Sequence, residues 1–297
     1  MIVALLLPLF LLAACGALLG RGNWLASSWS EGAGELTSKV LIPCLLFSGT
    51  YKNGLHGGGT ASALLAFYVP VVLLFVLVAF AYRRHGNGAP LALASVYSNT
   101  VFVGIPVLNR VVGEQGLAHA FPIIAFHGLL AFTLYYFSSA WKGRAGLFGA
   151  LLRTVKNPVV ASLAAGLLLN ASGLRLPAQL SHALDMAGAA ALPCALLVLG
   201  ASLVRMRVTR PAQTLVAVAC KLLVLPALVL LCARLFGLAD DALRVLLILS
   251  SCPVGVNAHP VVQADGRDAT TVSSAIVLSS VAACVTIPLW LGVLAWI

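Results

Sequence analysis

Apolar residues occupy this chain in ten blocks: roughly 2–20, 34–51, 60–82, 89–109, 117–141, 157–173, 180–204, 211–236, 242–263 and 269–296. Each is close to the ~20 residues needed to cross a bilayer as a helix. The polar residues gather in the connectors, with two exceptions. The fourth block, LASVYSNTVFVGIPVLNRVVG (Leu93–Gly113), places Ser95, Ser98, Asn99 and Thr100 before Gly104 and Pro106. The ninth, LLILSSCPVGVNAHPVVQADG (Leu246–Gly266), places Ser250, Ser251, Pro253, Gly255, Asn257, His259 and Pro260 in its middle. The pattern predicts an all-α integral membrane protein of ten transmembrane helices, the fourth and ninth of them broken.

The two broken blocks hold the same rank in two halves. The longest connector, Trp141–Asn157, lies near the middle of the chain and ends in Asn157-Pro158, an N-cap followed by proline at the first helical position. Five blocks precede it and five follow. LIPCLLFSGT in the second block and ALPCALLVLGASL in the seventh align Pro43 with Pro193 and Cys44 with Cys194, both pairs 150 residues apart. An odd number of spans per half sends the second half into the membrane from the opposite side. Residues 1–141 and 157–297 therefore read as two inverted five-helix repeats, joined by a cytoplasmic connector, 142–156, in the manner of many secondary transporters.

Proline gives the breaks their chemistry. Pro106, Pro253 and Pro260 lack an N–H, so the carbonyls of Phe102, Leu249 and Val256 lose their helical donors. In hydrocarbon such a carbonyl must be buried in protein or face a wet cavity. Half-helix N-termini at such a place suit an anion, and freed carbonyls suit a cation. The plainer alternative is a pair of proline kinks whose Ser, Thr and Asn side chains bond neighbouring helices. Register stays open: Ser98 against Ser250 and Pro106 against Pro260 require different offsets.

Composition removes other classes. The chain is 297 residues long, 61% hydrophobic and 9% charged, with mean hydropathy +1.04; soluble domains carry about 25% charged residues. The formal charge of +10 is spread over connectors and has no interleaved aromatics, which argues against nucleic acid. With the N-terminus outside, twelve Lys and Arg fall in inward connectors and five in outward ones, so both termini are expected on the periplasmic side of a bacterial inner membrane. Met1 leads straight into an apolar run with no basic n-region, so the first block reads as a retained span. The seven cysteines lie in apolar runs without CxxC or Cys/His spacing, which predicts neither disulfides nor a metal site.

A few ionisable residues fall inside the blocks. Lys221 sits well within the eighth, where it could neutralise an anionic substrate or pair within the bundle, or snorkel to the interface. Asp185, near the start of the seventh, could take a proton or Na⁺, or simply sit at a helix start. His127 and His259 are candidate proton carriers; the alternative for each is a packing role. Ser273, Ser274, Ser279, Ser280 and Thr286 read as packing residues, and Trp24, Trp29, Trp141, Trp290 and Trp296 as interfacial anchors.

The stretches SNTVFVGIPVL, ALLVLGASL and PVGVNAHPVVQADGRDATTVSS followed by TIPL, with the proline-centred second and seventh blocks, resemble the auxin efflux carrier family along essentially the whole chain. That family includes plant auxin exporters and bacterial malonate or malate carriers, and is similar in fold to bile-acid sodium symporters. The resemblance implies ten spans with crossing fourth and ninth helices. It implies a substrate crossing lined by Asn99, Pro106, Pro253 and Asn257, with Asn99 on a carboxylate. Thr100, Gly104 and Gly255 belong to the same stretches. The chain lacks the long central loop of the plant members. The expected function is secondary transport of a small organic anion, a carboxylate such as malonate, malate or an auxin-like acid. An anion channel is the alternative; an intramembrane enzyme is disfavoured by the lack of HExxH, paired Asp or a marked serine base. The expected partners are that anion, the lipid bilayer and a second copy of the chain in a homodimer. No cofactor is expected beyond a coupling H⁺ or Na⁺.

Overall fold

A computed structural model describes residues 2–22, 25, 28–53, 61–140, 158–205 and 210–296. The described residues are almost entirely helical, and each of the ten apolar blocks contains helix, interrupted in the fourth and ninth. In chain order the helices are α1 (Ile2–Arg21), α2 (Trp29–Leu36), α3 (Ile42–Asn53), α4 (Ala61–Ala81), α5 (Gly88–Val96), α6 (Ile105–Val111), α7 (Gly113–Ala140), α8 (Pro158–Ser172), α9 (Ala178–Arg205), α10 (Pro211–Ala219), α11 (Leu225–Leu235), α12 (Asp240–Ser251), α13 (Ala258–Ala264) and α14 (Thr270–Trp296). Five stretches are long and apolar enough to cross a membrane unbroken: Ala61–Ala81, His119–Ser139, Ala178–Ser202, Pro211–Leu235 and Thr270–Leu294. The protein is a multi-pass membrane protein. The connector at 142–156, Asn157, Trp24 and Trp141 lie outside the described residues.

Proline shapes three of the helical paths in one way. The turns Thr37–Leu41, Thr100–Gly104 and Cys220–Val224 are π-helical, and Pro43, Pro106 and Pro226 each follow two residues later. Just before each proline the last N–H reaches back five residues: Ile42 to Thr37, Ile105 to Thr100 and Leu225 to Cys220. The wider turn makes room for the proline ring and lets the helix continue, so α2–α3 and α10–α11 each run on through their prolines. Pro226 still deprives the Leu222 carbonyl of a donor. The Trp290 indole N–H supplies one at 2.8 Å. Trp290, expected to anchor at the interface, is instead a cap for a proline-freed carbonyl, because α14 lays it against the bulge.

The helices fall into two groups. In the first, α1, α2–α3, α8 and α9 pack on one another. Small residues set this packing: a Cβ on Gly16 or Gly200 would run into the backbone of Leu197 or Ala13. Gly16 and Gly20 are spaced as in the small-xxx-small motif that brings membrane helices close. In the second group, α4–α7 and α10–α14 surround the two broken paths. Gly113, at φ +69°, takes the left-handed turn that lets α6 reverse into α7. The groups meet along α1–α6, α3–α7 and α7–α8.

Candidate functional site

The α5–α6 and α12–α13 paths break where they meet. Tyr97 and Cys252 turn extended, at ψ 109° and 148°. Ser98 and Val254 then form a single antiparallel bridge. The Asn99 N–H donates to the Pro253 carbonyl at 2.8 Å, and the Gly255 N–H to the Tyr97 carbonyl at 2.9 Å. The register left open by the sequence is thus Tyr97 with Gly255, Ser98 with Val254 and Asn99 with Pro253. Gly255 is required there, since a Cβ would enter the Tyr97 ring, and a Cβ on Gly104 would come within 3.0 Å of Leu249.

Backbone groups that the bridge does not pair find side chains, as buried polar groups must. The Ser98 N–H donates to His127 Nε2 at 2.8 Å. The Val254 N–H donates to Ser279 Oγ at 3.0 Å. The Phe102 N–H donates to Asn99 Oδ1 at 3.1 Å, so Asn99 caps the turn that leads into α6. Lys221, fully buried, donates its ammonium to the Ser250 carbonyl at 2.5 Å, at the C-terminal end of α12 where the helix dipole is negative. It does not snorkel: its π-helical turn lies inside the bundle. Among the described residues no ion pair includes Lys221.

Three buried polar atoms at the crossing have no hydrogen-bond partner among the described residues: Asn99 Nδ2, Ser98 Oγ and His127 Nδ1. The first is chemically the most specific. Because Oδ1 must face the Phe102 N–H, the amide orientation is fixed, and Nδ2 presents donors only. Asn99 is 3% exposed, so these donors await an acceptor.

The structure brings Asn99, Thr100, Gly104, Pro253, Gly255, Lys221 and His127 together around the crossing. Pro106 follows the π-turn, in the first turn of α6. Asn257 stands exposed at the start of α13, within hydrogen-bond reach of the Tyr97 hydroxyl. His127 is stacked on Tyr97, at 5.2 Å between ring centroids. Its Nε2 serves the Ser98 N–H, a bond that a proton on that nitrogen would break. His259, half-buried on α13, meets Ser273 Oγ at 2.9 Å through Nδ1. Asp185 lies apart from the crossing, where Ser48 Oγ donates to it at 2.5 Å and Lys52 Nζ at 2.7 Å, both from α3. These three line a cavity of about 550 Å³ between the helix groups, shared with Ile105 and Asn109 of α6.

Sequence reasoning passed over several of these residues. Tyr97, which accepts the Gly255 N–H, and Val254, which bridges to Ser98, had no assigned part; Ser279 was assigned to packing, and Cys252 and Asn109 received no role. A second polar cluster was missed: Asp265 Oδ2, just beyond α13, accepts from Tyr135 at 3.0 Å, Ser139 at 2.5 Å and Arg267 at 3.2 Å, tying α13 to α7. No local motif announces it. Asp268 accepts the Thr270 N–H at 2.9 Å and pairs with Arg210 at 2.7 Å; the Thr270 hydrogen bonds, and then Arg210, hold its carboxyl below the usual carboxylate range. Among the described residues, no cluster of His, Cys, Asp or Glu could hold a metal ion, and all seven cysteines are free.

Two polar-lined breaks, paired inside a bundle of apolar helices, define a membrane protein with a buried polar crossing, the arrangement of a transporter. The chain belongs to the family described as "Membrane transport protein", which matches residues 1–147 and 142–291; this is the auxin efflux carrier family that the motifs resemble. It is also 25% identical, over 96% of its own length and 93% of the relative's, to a protein of Rhizobium meliloti (strain 1021) described as "Putative malonate transporter".

Proposed function

We propose that the protein is a secondary active transporter of a small organic anion, a carboxylate such as malonate, malate or an auxin-like acid. Transport proceeds by alternating access around the crossing. The observation that carries this reading is Asn99 Nδ2: a buried donor, held in place by its own Oδ1, without an acceptor among the described residues. A carboxylate oxygen is the matching acceptor. Lys221, buried without an acidic partner among the described residues, compensates the anion's charge from behind the bridge. The malonate name of the relative agrees with that chemistry.

In this reading the ten helical paths are transmembrane spans in two inverted repeats, 1–141 and 157–297, with 142–156 in the cytoplasm and both termini in the periplasm. The group holding the crossing moves against the group of α1–α3, α8 and α9. The cavity at Lys52, Asp185 and Asn109, between the groups, is then one face of the alternating path. H⁺ or Na⁺ supplies the coupling, with His127, His259 and Asp185 as its candidate carriers. A homodimer in the bacterial inner membrane is the proposed assembly.

A thermal-shift screen of the purified protein against mono- and dicarboxylates, with and without Na⁺ and at two pH values, tests the reading. A ligand at 100 times its Kd stabilises by about 2.7 kcal/mol, enough to resolve. A melting temperature unmoved by every carboxylate at millimolar concentration contradicts it.

A further inference from the structure

Away from the crossing, α4, the start of α5 and the end of α7 enclose a groove of about 690 Å³. Its walls are Phe75, Val76, Phe80, Leu134 and Phe137. Phe80 and Phe137 are 61% and 58% exposed, facing the region that lipid occupies. Among the described residues of its lining, the groove carries two charges, Arg83 and Arg267, and no acidic side chain. Both arginines belong to connectors that the Lys/Arg distribution places on one side of the membrane. Arg83 follows directly on the apolar α4, so it stands at the level of lipid headgroups, with its guanidinium 3.9 Å from the centre of the Phe80 ring. Arg267 is held in place from behind, by Asp265 and by the Ser139 carbonyl at 3.3 Å. From Arg83 back to Phe75 the helix descends about 12 Å into the hydrocarbon.

A slot that is apolar along its length and doubly basic at its mouth matches one kind of molecule. We propose that it binds an anionic phospholipid, with the phosphate between Arg83 and Arg267 and an acyl chain along Phe75, Phe80 and Phe137. Basic pockets between membrane helices recognise such headgroups. Because Arg267 also belongs to the Asp265 cluster that ties α13 to α7, the lipid bears on the half-helix that begins at the crossing. This site is separate from the proposed substrate site and does not depend on it.

The test uses the full-length protein in neutral detergent, with melting temperature and native mass spectrometry as readouts. Phosphatidylglycerol is compared with phosphatidylcholine of the same chains. Phosphatidylglycerol should bind preferentially and raise the melting temperature. Arg83→Gln should weaken its apparent affinity about fivefold. Arg84→Gln, the same charge change one residue away and outside the groove, should leave it unchanged. Val76→Trp, filling the slot, should also reduce binding. Equal binding of the two lipids overturns the proposal. So does equal loss in Arg83→Gln and Arg84→Gln, which reduces the effect to general surface charge. Soluble glycerol 3-phosphate reproducing the shift overturns it as well, since a headgroup site alone would need no groove.

Discussion

Asn99 performs two tasks with two atoms, and substitution can separate them. Its Oδ1 caps the Phe102 N–H, while its Nδ2 is the donor offered to a carboxylate. Asn99→Ser keeps a capping oxygen of comparable strength but has no arm that reaches as far as the amide nitrogen. Asn99→Ala removes both. A hydrogen bond to a charged group contributes about 1.5–3 kcal/mol, so both variants should bind carboxylate from about tenfold to a hundredfold more weakly. The cap contributes about 1 kcal/mol, so Asn99→Ala should melt lower while Asn99→Ser stays near the wild type. The assays are carboxylate uptake into proteoliposomes and thermal melting of the same preparations. The refuting result is Asn99→Ser transporting with wild-type affinity: the free donor would then serve packing or a buried water, and not the substrate.

Three further outcomes follow from the same geometry. Lys221→Met removes a buried charge and a bond to Ser250; these oppose each other in stability, so melting should change little while anion affinity falls at least tenfold. Wild-type affinity in that variant would remove Lys221 from charge compensation. Trp290→Phe leaves the Leu222 carbonyl unpaired and should destabilise by about 1–3 kcal/mol; in a Pro226→Ala background, where a backbone N–H can return to that carbonyl, the loss should shrink, and equal losses in both backgrounds would refute the capping role. Gly200→Val drives a side chain into the Ala13 backbone on α1, an overpacking cost of about 1–3 kcal/mol or more, whereas Gly292→Val, with open space around it, should be tolerated.

What was legible in the sequence is what local chemistry encodes. Apolar length marks the helical paths, and the polar run Ser95–Thr100 and Pro253 mark the breaks; Pro106 does not, since the first path breaks at Tyr97–Asn99 and the helix continues through the π-turn to Pro106. Asn99 stood out because an amide in an apolar run needs a reason. Register was not legible, because the two paths meet through one bridge and neither carries an alternating pattern that a strand would show. The burial of Lys221 was not legible either: its depth depends on where α10 begins and on the π-helical turn that Pro226 induces. Trp290 misled because nearness to a segment end, counted in residues, says nothing about which helix it faces. Asp185 gave no hint of Lys52, since the pair joins residues 133 apart, and the Asp265 cluster is likewise assembled by packing alone.

Transport itself is tested most directly by counterflow. Purified protein is reconstituted into liposomes loaded with unlabelled malonate, and labelled malonate is added outside at low concentration. An alternating-access carrier takes up label transiently above equilibrium, with a rate that saturates in external substrate. Malonate flux that is linear in concentration and shows no counterflow, accompanied by ohmic single-channel currents, would contradict the account and make the crossing a pore.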